Sequence, residues 1–152
     1  MGMSMSDNST YVSELAAALQ RLVAELTRAT RTSLGNGGVD ITPDQYMVLN
    51  VLAGRADLAT QVQLADELGR EKTVVLRQID SLEQKGLLER IADSQDRRRR
   101  GLVLTDEGRR VHAVAKTIID QLLAKLAGDL PAEELRGVIK FLDEMRAKTR
   151  SL

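Results

Sequence analysis

One segment of the sequence, residues 61–104, constrains the fold more than the rest of the chain. It begins with two stretches of helical apolar spacing, 61–68 and 71–85, which are separated by Gly69. A glycine at that junction tolerates the left-handed backbone that lets the second helix leave the first at a steep angle. Because Ala65 is small enough for the two helices to cross closely, the pattern predicts a helix-turn-helix pair.

Two short β-compatible runs follow the helix pair. Residues 88–92 contain Ile91, and residues 101–104 place Leu, Val and Leu after a glycine. The loop between the two runs, residues 93–100, is polar and ends in four consecutive arginines. The sequence therefore predicts a β-hairpin with a charged tip directly after the second helix, which makes this region a winged helix-turn-helix.

Helical stretches flank this region on both sides. Residues 8–34 carry leucines spaced four, three and four apart, and residues 105–127 and 131–150 carry similar apolar stripes. The stripe of the middle stretch consists of Val111, Val114, Ile118 and Leu122. Another helix starts at residue 43, where Thr42 and Gln45 fit a capping box around a first-turn proline. The predicted fold class is mainly α with a small β-hairpin wing, flanked by N- and C-terminal helices.

The composition excludes several kinds of chemistry. The chain has no cysteine, so a disulfide framework, a thiol redox switch and a cysteine-ligated metal site are impossible. The single histidine, His112, cannot form a histidine-rich metal site, and the sequence has no phosphate-binding glycine loop. We therefore expect no metal, no cofactor and no enzymatic activity.

The sequence also bears on localisation. It has no apolar run near the roughly 20 residues that cross a bilayer. The polar first residues lack the basic and apolar regions of a secretory signal. We expect no membrane partner and a cytoplasmic protein.

Charge is distributed unevenly along the chain. The formal net charge is zero, yet residues 70–110 hold eleven Lys/Arg and eight Asp/Glu, a net charge of +3. The exposed N-terminal half of the second motif helix carries groups that bind phosphates and base edges of DNA. These candidates are Arg70, Lys72, Thr73, Arg77 and Gln78. The alternative is a plain helical hairpin with solvated charges, and Glu71 and Asp80 make this face less basic.

The arginines of the hairpin tip are a second candidate site. A charge run alone is commonly a solvated surface, but a hairpin beside a recognition helix can reach the adjacent minor groove. The enhanced negative potential of that groove attracts arginine. We expect Asp96 to pair with Arg98 and hold its side chain extended. The candidate DNA-binding residues of the tip are Arg97, Arg98, Arg99 and Arg100.

These motifs resemble those of the MarR family of bacterial transcriptional regulators. The wing signature of that family is matched by Asp96, Arg98, the strand end at Leu104 and Thr105, and Gly108. Upstream, residues 80–90, DSLEQKGLLER, resemble the exit of the family's recognition helix. Residues 64–68 and 43–52 match the two preceding helices, so the resemblance runs from about residue 8 to about residue 149.

The resemblance implies a homodimer that binds a pseudo-palindromic operator in double-stranded DNA. It implies a repressor that a small anionic or phenolic effector releases from DNA, with Arg98 as the minor-groove residue and Asp96 as its orienter. The implied effector pocket lies between the dimerisation helices and the DNA-binding lobe. Tyr46, Met47 and His112 are weak candidates for that pocket, since core packing or a surface position explains each of them as well.

The expected organisation is a disordered tail, 1–7, followed by one domain, 8–149. Within this domain we expect a DNA-binding lobe at about 40–105 and dimerisation helices at about 8–34 and 105–150. From the apolar stripes alone, a dimer interface and an intramolecular helical bundle are equally good explanations; the family resemblance favours the dimer. A winged fold used only for protein interaction is a further alternative, but it would not need four arginines on its wing.

Overall fold

The structure is a computed structural model that describes residues 5–152. Its elements are α1 (Met5–Asn36), α2 (Pro43–Ala53), α3 (Gln61–Leu68), α4 (Lys72–Gln84), β1 (Leu88–Ala92), β2 (Arg100–Leu104), α5 (Asp106–Ala127) and α6 (Ala132–Arg150). The order and type of these elements confirm the predicted fold class. Of the expected tail, residues 1–4 lie outside the described residues, and α1 begins at Met5, three residues before the predicted start.

Capping groups define the starts of the two helices that lead into the motif. Thr42 accepts a hydrogen bond from the backbone N–H of Gln45, and the side chain of Gln45 accepts one from the backbone of Thr42, as the sequence predicts. Thr60 and Gln63 form a second capping box at the start of α3. Two reciprocal caps satisfy backbone N–H groups that a helix otherwise leaves open, so both helix starts are fixed by side chains.

The turn of the motif is made by Gly69. Its backbone is left-handed, with φ 60° and ψ 33°, and its N–H donates to carbonyl oxygens at the end of α3. A side chain other than glycine is strained in this conformation. The left-handed turn at residue 69 separates α3 from α4, as the spacing in the sequence predicts.

The wing is an antiparallel hairpin of β1 and β2. The register pairs Leu88 with Leu104 at one end and Ala92 with Arg100 at the other. The loop between α2 and α3 adds a short third contact, in which the N–H of Leu102 donates to the carbonyl of Ala59 at 2.8 Å. This contact anchors the base of the wing to the loop that precedes the motif.

The chain divides into two compact units, Met1–Leu122 and Leu123–Leu152. In the first unit, side chains from α2, α3, α4 and both strands form one apolar core. Its fully buried members include Leu49, Leu64, Ile79, Leu82 and Leu88. Because the core draws on both motif helices and the wing, burial of this apolar surface fixes the motif and the wing together.

Helix α5 follows the predicted stripe only in part. Its buried residues are Gly108, Ala115 and Ile119. Within the first unit, Val111 of the predicted stripe is partly buried and packs against the core, whereas Val114 is exposed. The α6 segment, which belongs to the second unit, buries none of its residues. Among residues 5–152, no helix is both long and apolar enough to cross a bilayer.

Candidate nucleic-acid interface

Helix α4 divides cleanly into a buried and an exposed face. Val75, Ile79 and Leu82 are buried, and their spacing of four and three residues places them on one side of the helix. The opposite side carries Thr73 and Arg77, which are both exposed. The helix expected to read DNA therefore presents its polar side chains to solvent.

The predicted DNA-binding residues around the start of α4 fall into two groups. Lys72 lies exposed in the first turn, on the solvent side with Thr73 and Arg77. Arg70 forms an ion pair with Asp44 of α2 at 3.4 Å, and both side chains stay about half exposed. Gln78 is half-buried and lines a cavity of about 120 Å³, together with Arg70 and Met47. The structure thus turns Arg70 and Gln78 towards α2.

The tip of the wing is a turn whose four arginines are all exposed. Two carboxylates organise its backbone: Asp93 accepts from the N–H of Gln95 at 3.0 Å, and Asp96 accepts from the N–H of Arg98 at 3.0 Å. Asp96 therefore contacts the backbone of Arg98 and not, as the sequence analysis expected, its side chain. The short Asp96 side chain accepts a hydrogen bond from the backbone two residues further along the chain. It therefore fixes the main chain of the turn and does not engage the guanidinium of Arg98.

An arginine of β1 binds two carboxylates of α4. The guanidinium of Arg90 donates to Asp80 at 2.5 Å and to Glu83 in α4. Its side chain is largely buried, with 21% of its surface exposed. We call this pair of contacts the Arg90 clamp. It engages two of the acidic side chains that make α4 less basic. It also fixes the position of the wing relative to the helix.

Sequence reasoning missed the clamp, although a signal was present. Asp80 and Glu83 are three residues apart and therefore lie on one face of α4, and Arg90 follows after a glycine turn. Side chains that belong to different elements cannot be paired from spacing alone, because the pairing depends on the angle at which the hairpin leaves the helix.

A second arginine fixes the loop before α3. Arg55 is mostly buried and binds Asp57 at 3.0 Å and Glu67 at 2.6 Å. The hydrogen bond from Arg55 lowers the pKa of the Asp57 carboxyl, and the positive charge of Arg99 at the wing tip lowers it slightly further. These ion pairs join the loop before α3 to the end of that helix.

The junction between the wing and α5 is closed by Thr105. Its hydroxyl donates to the carbonyl of Gly86 at 2.6 Å and accepts from the N–H of Gly108 at 2.9 Å. A Cβ atom at Gly108 would lie 1.8 Å from the carbonyl oxygen of Leu87, so only glycine fits there. The Leu-Thr-x-x-Gly part of the wing signature thus holds the exit of α4 against the start of α5. We call the two Thr105 hydrogen bonds the Thr105 lock.

Two of the three weak effector-pocket candidates come together. The rings of Tyr46 and His112 stack with centroids 5.9 Å apart, and the amide oxygen of Asn50 lies within hydrogen-bond distance of both. Burial raises the pKa of Tyr46 and lowers the pKa of His112, which Lys116 lowers further. Met47 lies instead beside Gln78, in the small cavity next to α4.

A larger cavity of about 490 Å³ lies elsewhere in the first unit. Its walls are the turn after α1, the exit of α4 and the first two turns of α5. It contains two cations, Lys85 and Arg110, whose partners Asp40 and Glu107 are also in the wall. Among residues 5–152, no three His, Cys, Asp or Glu side chains are grouped as metal ligands would be.

These features define a class of protein, the winged helix-turn-helix proteins. The polar face of α4 and the arginine-rich wing are exposed on one compact unit, as in the DNA-binding members of that class. The model of the MarR family matches residues 39–99, which include the motif and most of the wing. The chain is similar to this family of transcriptional regulators over its winged helix-turn-helix segment.

Solved structures of similar proteins cover nearly the whole chain. The MepR–DNA complex from S. aureus is 27% identical with a TM-score of 0.79, over 88% of this chain and 95% of that one. The transcriptional repressor CouR bound to a 23-mer DNA duplex is 26% identical with a TM-score of 0.76, over 96% and 99%. CouR from Rhodococcus jostii RHA1 with p-coumaroyl-CoA is 24% identical, also with a TM-score of 0.76, over 95% of each chain, and supports the fold alone.

Proposed function

We propose that this chain is a sequence-specific transcriptional regulator that binds double-stranded DNA as a homodimer. The observation that carries the proposal is the joint exposure of the polar face of α4 and of the four arginines at the wing tip. Both lie on one unit, and the Arg90 clamp holds the wing to the helix. The similarity to MepR and CouR, each solved on DNA, supports the same proposal.

In this proposal the two surfaces contact different grooves. The N-terminal half of α4 enters the major groove, where Thr73 and Arg77 contact base edges and Lys72 contacts phosphate. The wing enters the neighbouring minor groove through Arg98, whose backbone Asp96 holds in the turn. The remaining wing candidates, Arg97, Arg99 and Arg100, contribute phosphate contacts and position the protein on the duplex. Arg70 and Gln78 face α2 and support α4 from that side.

Exposed apolar surface supports the homodimer. Leu22 in α1 is 50% exposed and Val138 in α6 is 55% exposed, although both belong to apolar stripes. A second copy of the chain would bury such side chains. Large exposed apolar patches mark interaction sites, and a two-fold protein matches the two half-sites of a pseudo-palindromic operator.

We further propose that the regulator is a repressor released by a small anionic effector in the cytoplasm. The 490 Å³ cavity is of a size that takes a small molecule. Lys85 and Arg110 in its wall supply positive charge to an anion, which would compete with Asp40 and Glu107 for them. Because the cavity touches both the exit of α4 and α5, a ligand there would act on the recognition helix. Tyr46 and His112 stay a second candidate site for a phenolic effector.

The experiment that tests the proposed function is a DNA titration by fluorescence anisotropy. The probe is the duplex upstream of this protein's own gene, titrated at several salt concentrations with wild type, Arg98→Ala, Arg77→Ala and Arg28→Ala. Affinity of the wild type should fall linearly on a log–log plot with salt, because each neutralised phosphate releases counterions. Arg98→Ala should bind sharply more weakly, and Arg77→Ala should lose about 1–3 kcal/mol of base discrimination.

Arg28→Ala is the matched control, since it removes the same charge from an exposed helix face of α1. It should bind DNA like the wild type. If Arg98→Ala follows the wild-type curve at every salt concentration, the wing is not a DNA contact. If the wild type binds no duplex even at low salt, the winged fold serves protein interaction instead.

A further inference from the structure

Helix α4 exposes a leucine in the middle of its polar surface. Leu76 is 37% exposed, although the other apolar residues of this helix, Val75, Ile79 and Leu82 among them, are buried or half-buried in the core. It follows Thr73 by one helical turn and directly precedes Arg77, so it lies beside the two side chains proposed to contact base edges. Leu76 is not among the side chains that form or pack against the apolar core.

The surroundings of Leu76 indicate which partner its side chain would meet. Asp80 and Glu83, four and seven residues further along the same flank of α4, are held by Arg90 from the wing. Nearer the start of the helix, the exposed side chain on this flank is Leu76, and the basic residues Lys72 and Arg77 lie next to it. Positive charge around an apolar side chain complements a duplex, whose phosphates flank a groove that contains methyl groups.

The chemistry of the major groove supplies a specific apolar contact. Thymine alone among the four bases carries a C5-methyl group there, and apolar side chains recognise it by direct contact. The N-terminal residues of a recognition helix are those that reach base edges. Leu76 is the fifth of the 13 residues of α4, within that half.

We propose that Leu76 is a specificity-determining residue that contacts the methyl group of a thymine in each half-site. This inference rests on the proposed function, because it requires α4 to enter the major groove. It adds a preference for thymine over cytosine at one base-pair position that hydrogen-bonding residues of α4 do not provide. Burial of one methyl-sized group corresponds to about a fourfold change in affinity.

The test replaces single thymines by deoxyuridine, which pairs identically and lacks only the methyl group. Duplexes that the wild type enriches from a random-sequence pool serve as probes, and each thymine is exchanged in turn. Dissociation constants are measured at one salt concentration for wild type, Leu76→Ala, Leu76→Met and Arg77→Ala. We expect one position in each half-site at which deoxyuridine weakens wild-type binding about fourfold.

The variants separate this contact from general effects on binding. Leu76→Ala should bind thymine and deoxyuridine duplexes equally at that position, whereas Leu76→Met, which keeps an apolar side chain, should retain the difference. Arg77→Ala should bind every duplex more weakly and still keep the ratio at the Leu76 position. Because Leu76 is exposed, its variants should unfold like the wild type in urea.

Two results would overturn the inference while leaving the proposed function intact. One is a wild type that binds its selected duplexes but shows no position sensitive to deoxyuridine. The other is a Leu76→Ala variant that keeps the wild-type ratio at every position. A wild type that enriches no duplex at all contradicts the proposed function itself, and the inference fails with it.

Discussion

The winged motif and the terminal helices have similar apolar content but use it in different ways. In the segment from α2 to β2, most leucines lie in one core, and Leu49, Leu64, Ile79 and Leu82 are completely or almost completely buried. In α6, by contrast, Leu135, Val138, Ile139 and Phe141 are all exposed, and the helix buries no residue. The motif is stabilised by its own packing, whereas the apolar side chains of α6 are exposed within their own unit.

The same contrast extends to the way the elements are fixed. Side-chain caps start α2 and α3, and the Thr105 lock closes the junction between wing and α5. The start of α6 at Pro131 has no side-chain cap hydrogen bond. The motif is therefore fixed by side-chain contacts that α6 lacks at its start, and substitutions in one region should leave the other intact.

The sharpest test of this contrast uses one glycine from each region. Gly108→Ala should lower the free energy of unfolding by more than about 4 kcal/mol, because the new Cβ atom would collide with the backbone carbonyl of Leu87. Gly137→Ala in α6 meets no atom within 4 Å and should raise the helix stability by up to about 1 kcal/mol. Urea unfolding followed by circular dichroism measures both. A destabilised Gly137→Ala would show that a partner covers that position closely.

A smaller effect is expected from two apolar substitutions. Leu64→Ala empties a fully buried site and should cost about 3 kcal/mol without changing the molecular mass in solution. Val138→Asp places a charge on an exposed face of α6 and should convert a dimer into a folded monomer in sedimentation equilibrium. If Val138→Asp keeps the mass of a dimer, the apolar face of α6 does not form the interface.

The smallest expected effect is a pH dependence at His112. Burial and the charge of Lys116 lower its pKa in the folded protein below the ordinary value of 6.5. The unfolded chain therefore takes up the proton first, and the free energy of unfolding should decrease as the pH falls from 6.5 towards the folded pKa. His112→Gln should lose less stability than the wild type between pH 7.5 and pH 5.5 in urea titrations. Equal losses would mean that His112 titrates alike in both states.

Local signals in the sequence were sufficient for most of the fold. The Thr42–Gln45 capping box, the turn at Gly69 and the strand pair around the charged loop each depend on residues close together in the chain. Such features follow from backbone preferences and local hydrogen bonds. They predicted the element order and the boundaries of the motif to within a residue or two.

The face that α5 buries could be predicted only in part in this way. Of the predicted stripe of Val111, Val114, Ile118 and Leu122, Val111 packs against the core, but Val114 is exposed and the buried residues are Ala115 and Ile119. Apolar residues are spread over two neighbouring faces of α5, and periodicity does not distinguish them. The Arg90 clamp and the backbone contact of Asp96 could not be predicted from the sequence either, because both depend on the path of the hairpin.

The Thr105 hydroxyl has a mechanical consequence. Two hydrogen bonds of Thr105, from its hydroxyl to the carbonyl of Gly86 and from its N–H to the carbonyl of Leu87, join the exit of α4 to the start of α5. Sliding of one helix along the other would have to break both of them first, so these two helix ends move together.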